Sequence, residues 1–361
     1  MNAGESDTEL IMADFPYKSS AEGLIDFLPL PSLLVDSKRE LVGVNVEGRT
    51  LFKSLEIGQD LAFSIRNPDV LDALEKLKTG EDQVEGDLVL SAPHERNFHL
   101  TARTLLPEET GKGMYLLVFT DITHQMDAEK IRAAFIANVS HELRSPLSTL
   151  IGAVETLKTS AKDDPKAFAR FLGMMEEEAW RMKRLVDDLL SLSKLEAGEH
   201  VPPTGAVNLT KLLAKVMGTM EKRLKTRKMT LTCKCQKSLP EIPGDRDEIQ
   251  EVFDNLIDNA IKYGAKGSEV TLKVKSLKKP SGLDGPAIRI SVHNVGEPIP
   301  RAQIPRLTER FYRVDKSRSR ELGGTGLGLA IVKHIIKHHR GKLEIESTSK
   351  TGTKFSVFLP V

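Results

Sequence analysis

The sequence predicts a multidomain α+β protein in which a long helical hairpin joins two smaller mixed domains. Strand-like runs bounded by turn residues fill the N-terminal third of the 361-residue chain. From Gln125 to about Leu195, apolar residues recur every three or four positions, which is typical of long packed helices. Beyond a linker that contains proline and glycine, helical and strand-like runs alternate, which favours a second α+β domain over residues 207–361.

Charge and composition exclude several classes of protein. The formal net charge is +1, from 52 basic and 51 acidic residues, so nothing argues for a nucleic-acid partner or an anionic membrane surface. No apolar run reaches the roughly 20 residues of a membrane span, and the first residues lack the basic and apolar regions of a secretory signal. We expect a soluble chain that works in the cytoplasm or associates with a membrane complex; an anchor upstream of the given sequence stays open.

Two groups of residues invite a metal-site interpretation that the sequence does not favour. Cys233 and Cys235 point the same way on a predicted strand, which indicates buried or half-buried thiols in a reducing cytosol. His334 and His338 are spaced four apart on a predicted helix, and His339 follows them. Because lysines are their neighbours, we expect these histidines to lie on an exposed basic helix face.

The N-terminal part is predicted to be a flexible tail over residues 1–21 and a small sensory domain over residues 22–124. Its strand-like runs include "QVEGDLVLSA", "RNFHLTARTL" and "GMYLLVFTDIT", and a helix is predicted at "NPDVLDALEKLKTG". The order of these elements, ending in "FTDIT" before a long helix, resembles the α/β fold of a PAS sensory domain with its antiparallel sheet. The alternative is an unspecified α+β module. Neither cysteine lies here, so no flavin-reactive thiol indicates what the domain senses.

Residues 125–200 are predicted to form an antiparallel helical hairpin. Apolar residues spaced three or four apart define a packing seam on each of its two helices. The charged run "SAKDDPKAF", which contains a proline, separates the helices. One hairpin buries little apolar surface, whereas two make a four-helix bundle, so a homodimer through the hairpin is expected. The seam residues are Ile136, Val139, Leu143, Leu147, Leu150, Val154 and Leu157, followed by Phe168, Phe171, Met175, Met182, Leu185, Leu189 and Leu192.

His141 lies on the face of the first hairpin helix that points away from this seam. At about 100° per residue, it is roughly 200° from the seam residues two positions before and after it. Ser145 follows on the same face, and Glu142 can hydrogen-bond one ring nitrogen, which would leave the other as a nucleophile. Pro146 cannot donate a backbone hydrogen bond to the carbonyl of Glu142, so the helix can bend there. An exposed, oriented imidazole fits a phosphate acceptor; the alternative is a solvated helix face.

The helix at "QEVFDNLIDNAIKYG" has one apolar face and one face of amides. Asn255 and Asn259 are one turn apart, and Lys262 follows them. Neutral amide oxygens can ligate Mg²⁺ beside a triphosphate, while a lysine supplies positive charge to the phosphates. The alternative is an ordinary polar helix face. The apolar face comprises Phe253, Leu256, Ile257 and Ala260, and the polar face begins at Glu251.

A second run, "ELGGTGLGLAIVKHI", is an independent indication of nucleotide binding. Four glycines permit close backbone approach, namely Gly323, Gly324, Gly326 and Gly328. They open directly into an apolar helix, whose first N–H groups can bind phosphate. The run has neither the lysine pattern of a Walker A loop nor the preceding strand of a Rossmann loop.

Four ordered motifs and the second helix of the hairpin resemble parts of sensor histidine kinases, over residues 129–361. "FIANVSHELRSPLSTLIGAVETL" resembles the phosphoacceptor box, and "RMKRLVDDLLSLSKLEAGE" resembles the second helix of the dimerisation and phosphotransfer domain. Both segments are most similar to phosphate-regulon sensor kinases. The asparagine run, "ERFYRVDKSRSR" and the glycine run resemble three boxes of a Bergerat-type ATP-binding α/β sandwich. The resemblance implies that His141 is phosphorylated, that Glu142 is its general base, and that Ser145 occupies the position used for dephosphorylating the partner.

The resemblance also implies a set of nucleotide contacts. Asn259 would ligate Mg²⁺, with Asn255 supporting the same site. Residues 314–322 would form a mobile lid, in which Arg318 and Arg320 touch the phosphates or belong to a solvated basic loop. Phosphate contacts are implied for Lys262, Tyr263, Arg313, Gly324, Thr325, Gly326, Leu327 and Gly328.

The chain departs from the family pattern at two places. Where the family has Asp-x-Gly-x-Gly, "HNVGEPIP" has Asn294, Gly296 and Pro298. Asn294 can accept a hydrogen bond from the adenine amine, but without the charge of an aspartate, so weaker or less adenine-selective binding is expected. Ser145 replaces the usual threonine or asparagine; its hydroxyl could orient water, and phosphatase activity stays open.

These residues and the resemblance predict an ATP-dependent protein-histidine kinase of a two-component system. It would autophosphorylate on His141 with Mg-ATP and pass the phosphoryl group to an aspartate of a response regulator. The nearest resemblance suggests phosphate-starvation signalling. Two alternatives remain: a nucleotide-binding signalling scaffold without kinase activity, and an ATPase of the topoisomerase or chaperone type.

Overall fold

A computed structural model of the chain divides into two compact units, residues 1–133 and residues 134–361. The tail predicted for residues 1–21 lies outside the described residues, as does most of the lid predicted for residues 314–322. The structure describes residues 23, 25–90, 95–106, 113–160, 162, 164–198, 201–315 and 323–361.

The first unit is an α+β domain built on one antiparallel sheet. Its elements are β1 (Ser32–Asp36), β2 (Leu41–Val44), α1 (Val46–Leu51), α2 (Leu61–Ser64), α3 (Pro68–Lys78), β3 (Gln83–Leu90), β4 (Arg96–Leu106) and β5 (Met114–Asp121). The strand order is β2-β1-β5-β4-β3, and each neighbouring pair is antiparallel. Side chains alternate between the two faces of each strand, so one face of this sheet forms a core with α3. The predicted α+β class with an antiparallel sheet is confirmed.

A buried asparagine fastens the segment before β1 to the first helix. Asn45 is fully buried and is the N-cap residue of α1. Its side-chain oxygen accepts hydrogen bonds from the backbone N–H groups of Ser32 at 2.9 Å and Gly48 at 2.8 Å. Its amide nitrogen donates to the backbone carbonyls of Leu30 at 2.8 Å, Leu28 at 3.1 Å and Ile25 at 3.3 Å. The position therefore needs an acceptor and donors on one side chain, which an amide provides.

Two long helices form the predicted hairpin, α4 (Thr123–Lys158) and α5 (Pro165–Gly198). Asp164 caps α5, because its side chain accepts two backbone N–H groups of the first turn at 2.9 and 3.1 Å, while Pro165 takes the first helical position. Helix α4 continues through Pro146, which is buried. The bend expected at that residue stays a prediction. Within the described ranges, none of the helices has the length and hydropathy of a membrane span.

The rest of the second unit is a mixed sheet with helices on one face. Its elements are β6 (Ala206–Val207), α6 (Leu209–Arg227), β7 (Thr230–Cys235), β8 (Ile242–Pro243), α7 (Arg246–Tyr263), β9 (Glu269–Leu277), β10 (Ala287–Asn294), a 3-10 helix (Arg301–Thr308), α8 (Gly328–His338), β11 (Lys342–Thr348) and β12 (Gly352–Pro360). The strand order is β11-β12-β10-β9-β7, in which β7 and β9 are parallel and the other pairs antiparallel. Leu185 and Leu192 of α5 belong to the same hydrophobic core as α6, α7, α8 and this sheet. The predicted α/β sandwich is confirmed.

The prediction of an exposed basic face for the histidines of α8 is wrong. His339 is only 6% exposed, because the end of α8 packs against the start of α7. Its Nε2 accepts the backbone N–H of Asp245 at 3.0 Å. Because Nε2 uses its lone pair there, the proton lies on Nδ1, 2.8 Å from the carbonyl of Ile335. His339 is therefore a neutral structural residue.

His338 fastens the linker that enters the sandwich. Its side chain is 10% exposed, and its Nδ1 lies 2.9 Å from Oε2 of Glu248 on α7. Its Nε2 lies 2.8 Å from the carbonyl of Val201 in the linker. Both neighbours are acceptors, so this ring satisfies them best as an imidazolium that donates twice.

The three side chains of Glu248, His338 and His339 come close enough to suggest a metal site. Their ligand atoms lie within 4.8 Å of one another. However, the Nδ1 atom that His339 turns toward Glu248 carries a proton and offers no lone pair. This hydrogen-bond pattern therefore disfavours metal binding by the three side chains.

The cysteines lie on β7, as the strand pattern predicted. Cys235 is half-buried, in agreement with the expectation, whereas Cys233 is exposed. Both residues lie on an edge strand of the sheet, where thiols are less covered than in a central strand.

Replacing Asn45 by alanine is expected to lower the free energy of unfolding of the first unit by about 3 kcal/mol, because two buried N–H groups and two or three carbonyls lose their partner. Native-state hydrogen exchange of the amides in β1 and β5 measures the loss within this unit. The matched control is Asn67→Ala. Asn67 is also an asparagine N-cap, of α3, but its hydrogen bond is exposed, so about 1 kcal/mol or less is expected. Equal losses in the two variants would contradict the assignment.

Replacing His338 by alanine is expected to lower the free energy of unfolding of the second unit by about 1–2 kcal/mol more at about pH 5.5 than at about pH 8. Burial opposes protonation of His338, but its hydrogen bonds to Glu248 and to the Val201 carbonyl outweigh burial and raise its pKa above 6.5. A group whose pKa is raised on folding stabilises fully below its unfolded-state pKa, and this stabilisation is lost as the pH rises through the folded-state pKa. The fluorescence of Trp180, the single tryptophan, follows unfolding in denaturant.

The control for this pH series is His124→Ala, which removes an exposed histidine of α4. Burial lowers the pKa of His339, so its contribution has the opposite sign and is lost as the pH falls. His338→Ala and the wild type both contain His339, but the charge of His338 is one cause of the lowered pKa of His339, so the comparison measures the contribution of His338 together with this coupling. A loss of the same size at both pH values would show that the charge of His338 contributes nothing to stability.

Candidate functional site

Helix α4 displays the predicted phosphoacceptor to solvent. His141 and Ser145 are both exposed and lie one helical turn apart. The seam residues on either side, Val139 and Leu143, are half-buried. The imidazole is therefore held on a regular helix and accessible to a second domain or protein, as the periodicity of the sequence predicted.

Glu142 faces two guanidinium groups. Its Oε2 lies 3.3 Å from Nη2 of Arg181 on α5 and 3.1 Å from Nη2 of Arg313. The carboxylate side chain is 19% exposed, so water screens both ion pairs only in part. The sequence predicted a bond from Glu142 to the ring of His141 on the ground that they are adjacent. Adjacent side chains diverge by about 100° on a helix, and Glu142 is turned toward α5.

Helix α7 presents its amides away from the sheet. Asn255 and Asn259 are half-buried, while the apolar residues between them are buried. The amide nitrogen of Asn255 donates to the backbone carbonyl of Glu251 at 3.0 Å. The oxygen of Asn255, the atom that could serve a metal ion, points at the start of α8, where a side chain on Gly328 would collide with it. Glycine at this position therefore lets the predicted phosphate loop approach the asparagine ladder.

The last turn of α7 carries the predicted lysine. Nζ of Lys262 lies 2.7 Å from one carboxylate oxygen of Asp258, and the other oxygen accepts a hydrogen bond from Arg223 at 2.7 Å. Lys262 is thus within the site but already has a carboxylate partner. Tyr263 is 39% exposed at the mouth of the same helix end.

The glycine-rich loop closes around Phe311. Gly326 has a φ of +77°, and a Cβ there would lie 2.9 Å from Cα of Phe311. The N–H of Phe311 donates to the carbonyl of Gly326 at 2.8 Å. Leu327 is fully buried and anchors the loop, and α8 begins at Gly328 without a side-chain cap. The first N–H groups of α8 are therefore available to an anion such as phosphate.

Arg313 is a buried cation beside this loop. Its side chain is 5% exposed, and its Nη2 donates to the backbone carbonyl of Gly324 at 2.6 Å. Its Nε has no hydrogen-bond partner among the described residues. A buried guanidinium with a spare N–H group is well suited to a phosphate oxygen.

The departure from the family pattern lies beside the C-terminal end of α7, next to Tyr263. Asn294 ends β10 and is 4% exposed, opposite Thr353 of β12. Gly296 forms an isolated β-bridge with Gly264, and a Cβ on Gly296 would lie 2.5 Å from the carbonyl of Tyr263. Only glycine fits at Gly296, so the chain keeps the first glycine of the Asp-x-Gly-x-Gly pattern. At the aspartate position of that pattern it has Asn294, an amide instead of a carboxylate.

Helix α5 contributes polar contacts that the sequence reasoning missed. Oδ2 of Asp188 accepts the hydroxyl of Thr325 at 2.6 Å, and the hydroxyl of Ser191 donates to Oε2 of Glu251 at 2.9 Å. Burial raises the pKa of both carboxyl groups, Asp188 and Glu251. A sequence pattern indicates these contacts, because Arg184, Asp188 and Ser191 are spaced four and three apart. This polar stripe accompanies the more obvious apolar seam of the same segment.

An aromatic contact joins the hairpin to Phe311, the residue around which the glycine-rich loop closes. The rings of Phe135 on α4 and Phe311 lie 5.8 Å apart between centroids, with 42° between their planes. The guanidinium of Arg310 lies 5.2 Å from the centroid of Phe135, and Arg310 also pairs with Glu196 of α5. Phe311 adopts a φ of +61°, which is rare for an aromatic residue, so this contact involves a strained backbone position.

The predicted residues divide into two groups within one unit. Asn255, Arg313 and the loop over residues 324–328 meet at the start of α8, and Asn294 with Gly296 lies at the far end of α7. Amide oxygens, helix N–H groups and a guanidinium form a donor set that fits the phosphates of a nucleotide and a hard cation such as Mg²⁺. His141 and Ser145 form the second group, on the outer surface of the hairpin.

Comparison with known proteins identifies two families along the second unit. Residues 131–198 match the family described as the His Kinase A (phospho-acceptor) domain. Residues 244–361 match the family described as histidine kinase-, DNA gyrase B-, and HSP90-like ATPase. These matches cover the hairpin and most of the sandwich.

The chain is 34% identical over 302 residues to the phosphate regulon sensor protein PhoR of Pseudomonas aeruginosa, covering 83% of this chain and 64% of that protein. It is 32% identical to the sensor histidine kinase WalK of Bacillus subtilis, covering 85% of this chain and half (50%) of WalK, so it spans only part of these relatives. The crystal structure of histidine kinase ThkA in complex with response regulator protein TrrA shares the fold, with a TM-score of 0.51 at 21% identity over 94% of this chain and 98% of that one. A sensor protein kinase WalK of Staphylococcus aureus is 35% identical over 81% of this chain and 69% of its own length, and the chain therefore belongs to the sensor histidine kinase family.

Proposed function

We propose that this protein is an ATP-dependent protein-histidine kinase that phosphorylates itself on His141 and passes the phosphoryl group to an aspartate of a response regulator. The observation that carries the proposal is the exposed His141 on a regular helix, in the same unit as a donor set suited to a nucleotide. A phosphate-accepting imidazole must reach first a nucleotide and then a second protein, and an outward-facing position on a hairpin allows both.

The nucleotide would bind with its phosphates at the start of α8. Backbone N–H groups over Gly324, Thr325, Gly326, Leu327 and Gly328, together with Arg313, would hold the phosphate oxygens. Asn259, supported by Asn255, would ligate Mg²⁺, which neutralises phosphate charge when bound. Lys262 and Tyr263 would approach the phosphates from the end of α7, and Asn294 with Gly296 would face the base.

The chemistry asks the protein mainly for positioning and charge neutralisation. Nε2 of His141 attacks the γ-phosphorus, so an N–P bond forms while the bond to the leaving ADP oxygen breaks. Glu142 would hold the proton on Nδ1, which keeps the Nε2 lone pair free, and would accept that proton as the N–P bond forms. In the structure Glu142 is paired with Arg181 and Arg313, so it would have to turn from Arg313 to the imidazole. Release of Arg313 would free its guanidinium for the phosphate.

A homodimer would complete the hairpin. Large apolar side chains on both hairpin helices are exposed in the single chain, which supports a second copy packing against them. We propose residues 125–200 as this dimerisation and phosphotransfer domain, residues 207–361 as the ATP-binding domain and residues 22–124 as a PAS-like sensor. The exposed apolar residues among those described include Ile131, Ile136, Leu147, Ile151, Phe168, Leu172, Met174, Trp180, Val186 and Leu190.

The pathway is proposed from similarity alone. The resemblance to PhoR supports phosphate-starvation signalling, and the similar match to WalK is the competing assignment. Because the proposed reaction consumes ATP, we propose that the second unit works in the cytoplasm. Transfer of label from the phosphorylated protein to a panel of purified response regulators, compared by rate, identifies the partner. Ser145 would decide, through its hydroxyl, whether the same surface also hydrolyses the phosphoaspartate.

The kinase assignment predicts that His141→Ala removes all label transferred from γ-labelled ATP in the presence of Mg²⁺, because the only proposed nucleophile is lost. In the unaltered protein the label should be acid-labile and base-stable, as a phosphoramidate is. His124→Ala, a second exposed histidine of α4, should leave labelling unchanged. Nucleotide binding without label in the unaltered protein would favour a scaffold, while release of free phosphate that survives His141→Ala would favour an ATPase.

The amide at Asn294 generates a second prediction, on the selectivity of the nucleotide site. Asn294→Asp is expected to tighten Mg-ATP binding about three- to tenfold, because a charge-assisted hydrogen bond to the adenine amine is roughly twice as strong as a neutral one. The same change should weaken GTP binding, since a carboxylate cannot donate to the guanine oxygen as an amide can. Isothermal titration of both nucleotides measures the two constants, with Asn208→Asp, at the N-cap of α6, as the matched control. Strong rejection of GTP by the unaltered protein would contradict the prediction.

A further inference from the structure

One face of α5 lies along the glycine-rich loop of the nucleotide site. Arg184, Asp188 and Ser191 are spaced four and three apart, so they share one side of the helix. Asp188 accepts the Thr325 hydroxyl at 2.6 Å, and Ser191 donates to Glu251 of α7 at 2.9 Å. A Cβ on Gly323 would lie 3.3 Å from Nη2 of Arg184, so the loop approaches this helix closely.

Asp188 is the negative charge that α5 brings to the loop. The charged groups around its carboxylate are Lys262 and Glu251 of α7, with Arg184 and Asp187 of its own helix. Lys262 does not compensate it fully, because Nζ of Lys262 is paired with Asp258 at 2.7 Å. Burial accordingly outweighs the hydrogen bond from Thr325 and raises the pKa of Asp188.

A carboxylate at this point and a triphosphate on the loop need the same donor. The hydroxyl of Thr325 has one hydrogen to donate, and Asp188 receives it. A phosphate oxygen bound to Thr325 would have to replace Asp188, and if both stayed, two anions would share a partly buried space. The loop can therefore bind α5 or the triphosphate through Thr325, but not both.

We propose that Asp188 and the triphosphate of Mg-ATP compete for the glycine-rich loop, so that seating of the loop on α5 and nucleotide binding exclude each other. The inference rests on the proposed function, since it takes the loop over residues 324–328 as the phosphate site. It assigns to a residue of the phosphotransfer hairpin the control of nucleotide affinity in the neighbouring domain.

The competition gives the hairpin a means of regulating the kinase. The apparent affinity for nucleotide is the intrinsic affinity multiplied by the fraction of molecules in which the loop is free of Asp188. Any signal that rotates or shifts α5 changes this fraction without touching the nucleotide. By reciprocity, bound nucleotide favours release of the loop from the hairpin.

The test uses the full chain and titrates Mg-ATP and adenosine into matched variants. Asp188→Asn keeps an acceptor for Thr325 but removes the charge, and should tighten Mg-ATP binding about three- to tenfold. Adenosine, which has no phosphates, should bind the variant and the unaltered protein equally. Asp188→Glu retains the charge and should bind nucleotide within about twofold of the unaltered protein.

The control is Asp187→Asn, which removes the same charge one residue earlier. Asp187 is 55% exposed and paired with Lys183 at 2.6 Å, so it faces away from the loop. Its replacement should change neither nucleotide affinity nor autophosphorylation. The ratio of the Mg-ATP constants of the unaltered protein and Asp188→Asn should also fall toward one as the pH is lowered, because protonation of Asp188 removes the charge that the variant lacks.

Three results would overturn the inference. They are unchanged Mg-ATP affinity in Asp188→Asn, an equal gain in Asp187→Asn, and an equal gain for adenosine, which would indicate a change of shape rather than relief of competition. Thermal unfolding of each variant confirms that the constants refer to folded protein. If neither the unaltered protein nor any variant binds Mg-ATP, the proposed function fails together with the inference. If the unaltered protein binds Mg-ATP and Asp188→Asn binds it equally well, only the inference fails.

Discussion

Helix α7 has to bury one face in the sandwich core while it keeps its amides at the surface, and the geometry of the site depends on that division. Each fully buried Ile, Leu or Phe contributes about 1.5–3 kcal/mol, far more than any polar contact the helix makes. If α7 were rotated by one residue about its axis, several of these side chains would leave the core and their burial free energy would be lost. The rotation of the helix is thus set by the core, and Asn255 and Asn259 are oriented as a consequence. The buried residues are Ile249, Val252, Phe253, Leu256, Ile257, Ala260 and Ile261.

Packing also fixes the rotation of α5, which has a side in the sandwich core, an exposed apolar side and a polar strip. Leu185 and Leu192 join the core of the sandwich, while Val186 and Leu190 are exposed on the side where a second copy would pack. Asp188 and its neighbours form the polar strip between these faces. A helix with apolar residues on two sides has little freedom to turn, so a polar residue on the strip between them is held at a fixed distance from the loop it contacts.

The sequence predicted what is periodic or local, and missed what depends on contacts between distant segments. The exposure of His141 follows from its offset from the seam, and the closeness of glycine loop and asparagine ladder follows from the motif pattern. By contrast, nothing near Glu142 indicates that Arg181 and Arg313, 39 and 171 positions away, supply its partners. The burial of His339 likewise depends on Asp245, which is 94 positions away. A helical pattern tells which face a residue occupies, but the identity of what covers that face comes from tertiary packing.

Three of the side chains that would meet a triphosphate are each paired in the structure with a carboxylate of the chain itself. Arg313 has Glu142, Lys262 has Asp258, and Thr325 has Asp188. The physical reason is the cost of a buried charge without a partner, which is greatest for a guanidinium that is 5% exposed. Under the proposed function, nucleotide binding would therefore be an exchange of anions rather than the filling of a positive cavity, and its affinity would be a difference between two sets of polar contacts. Because Glu142 and Asp188 lie on the hairpin whereas Asp258 does not, two of the three proposed exchanges would couple nucleotide binding to the arrangement of the hairpin helices.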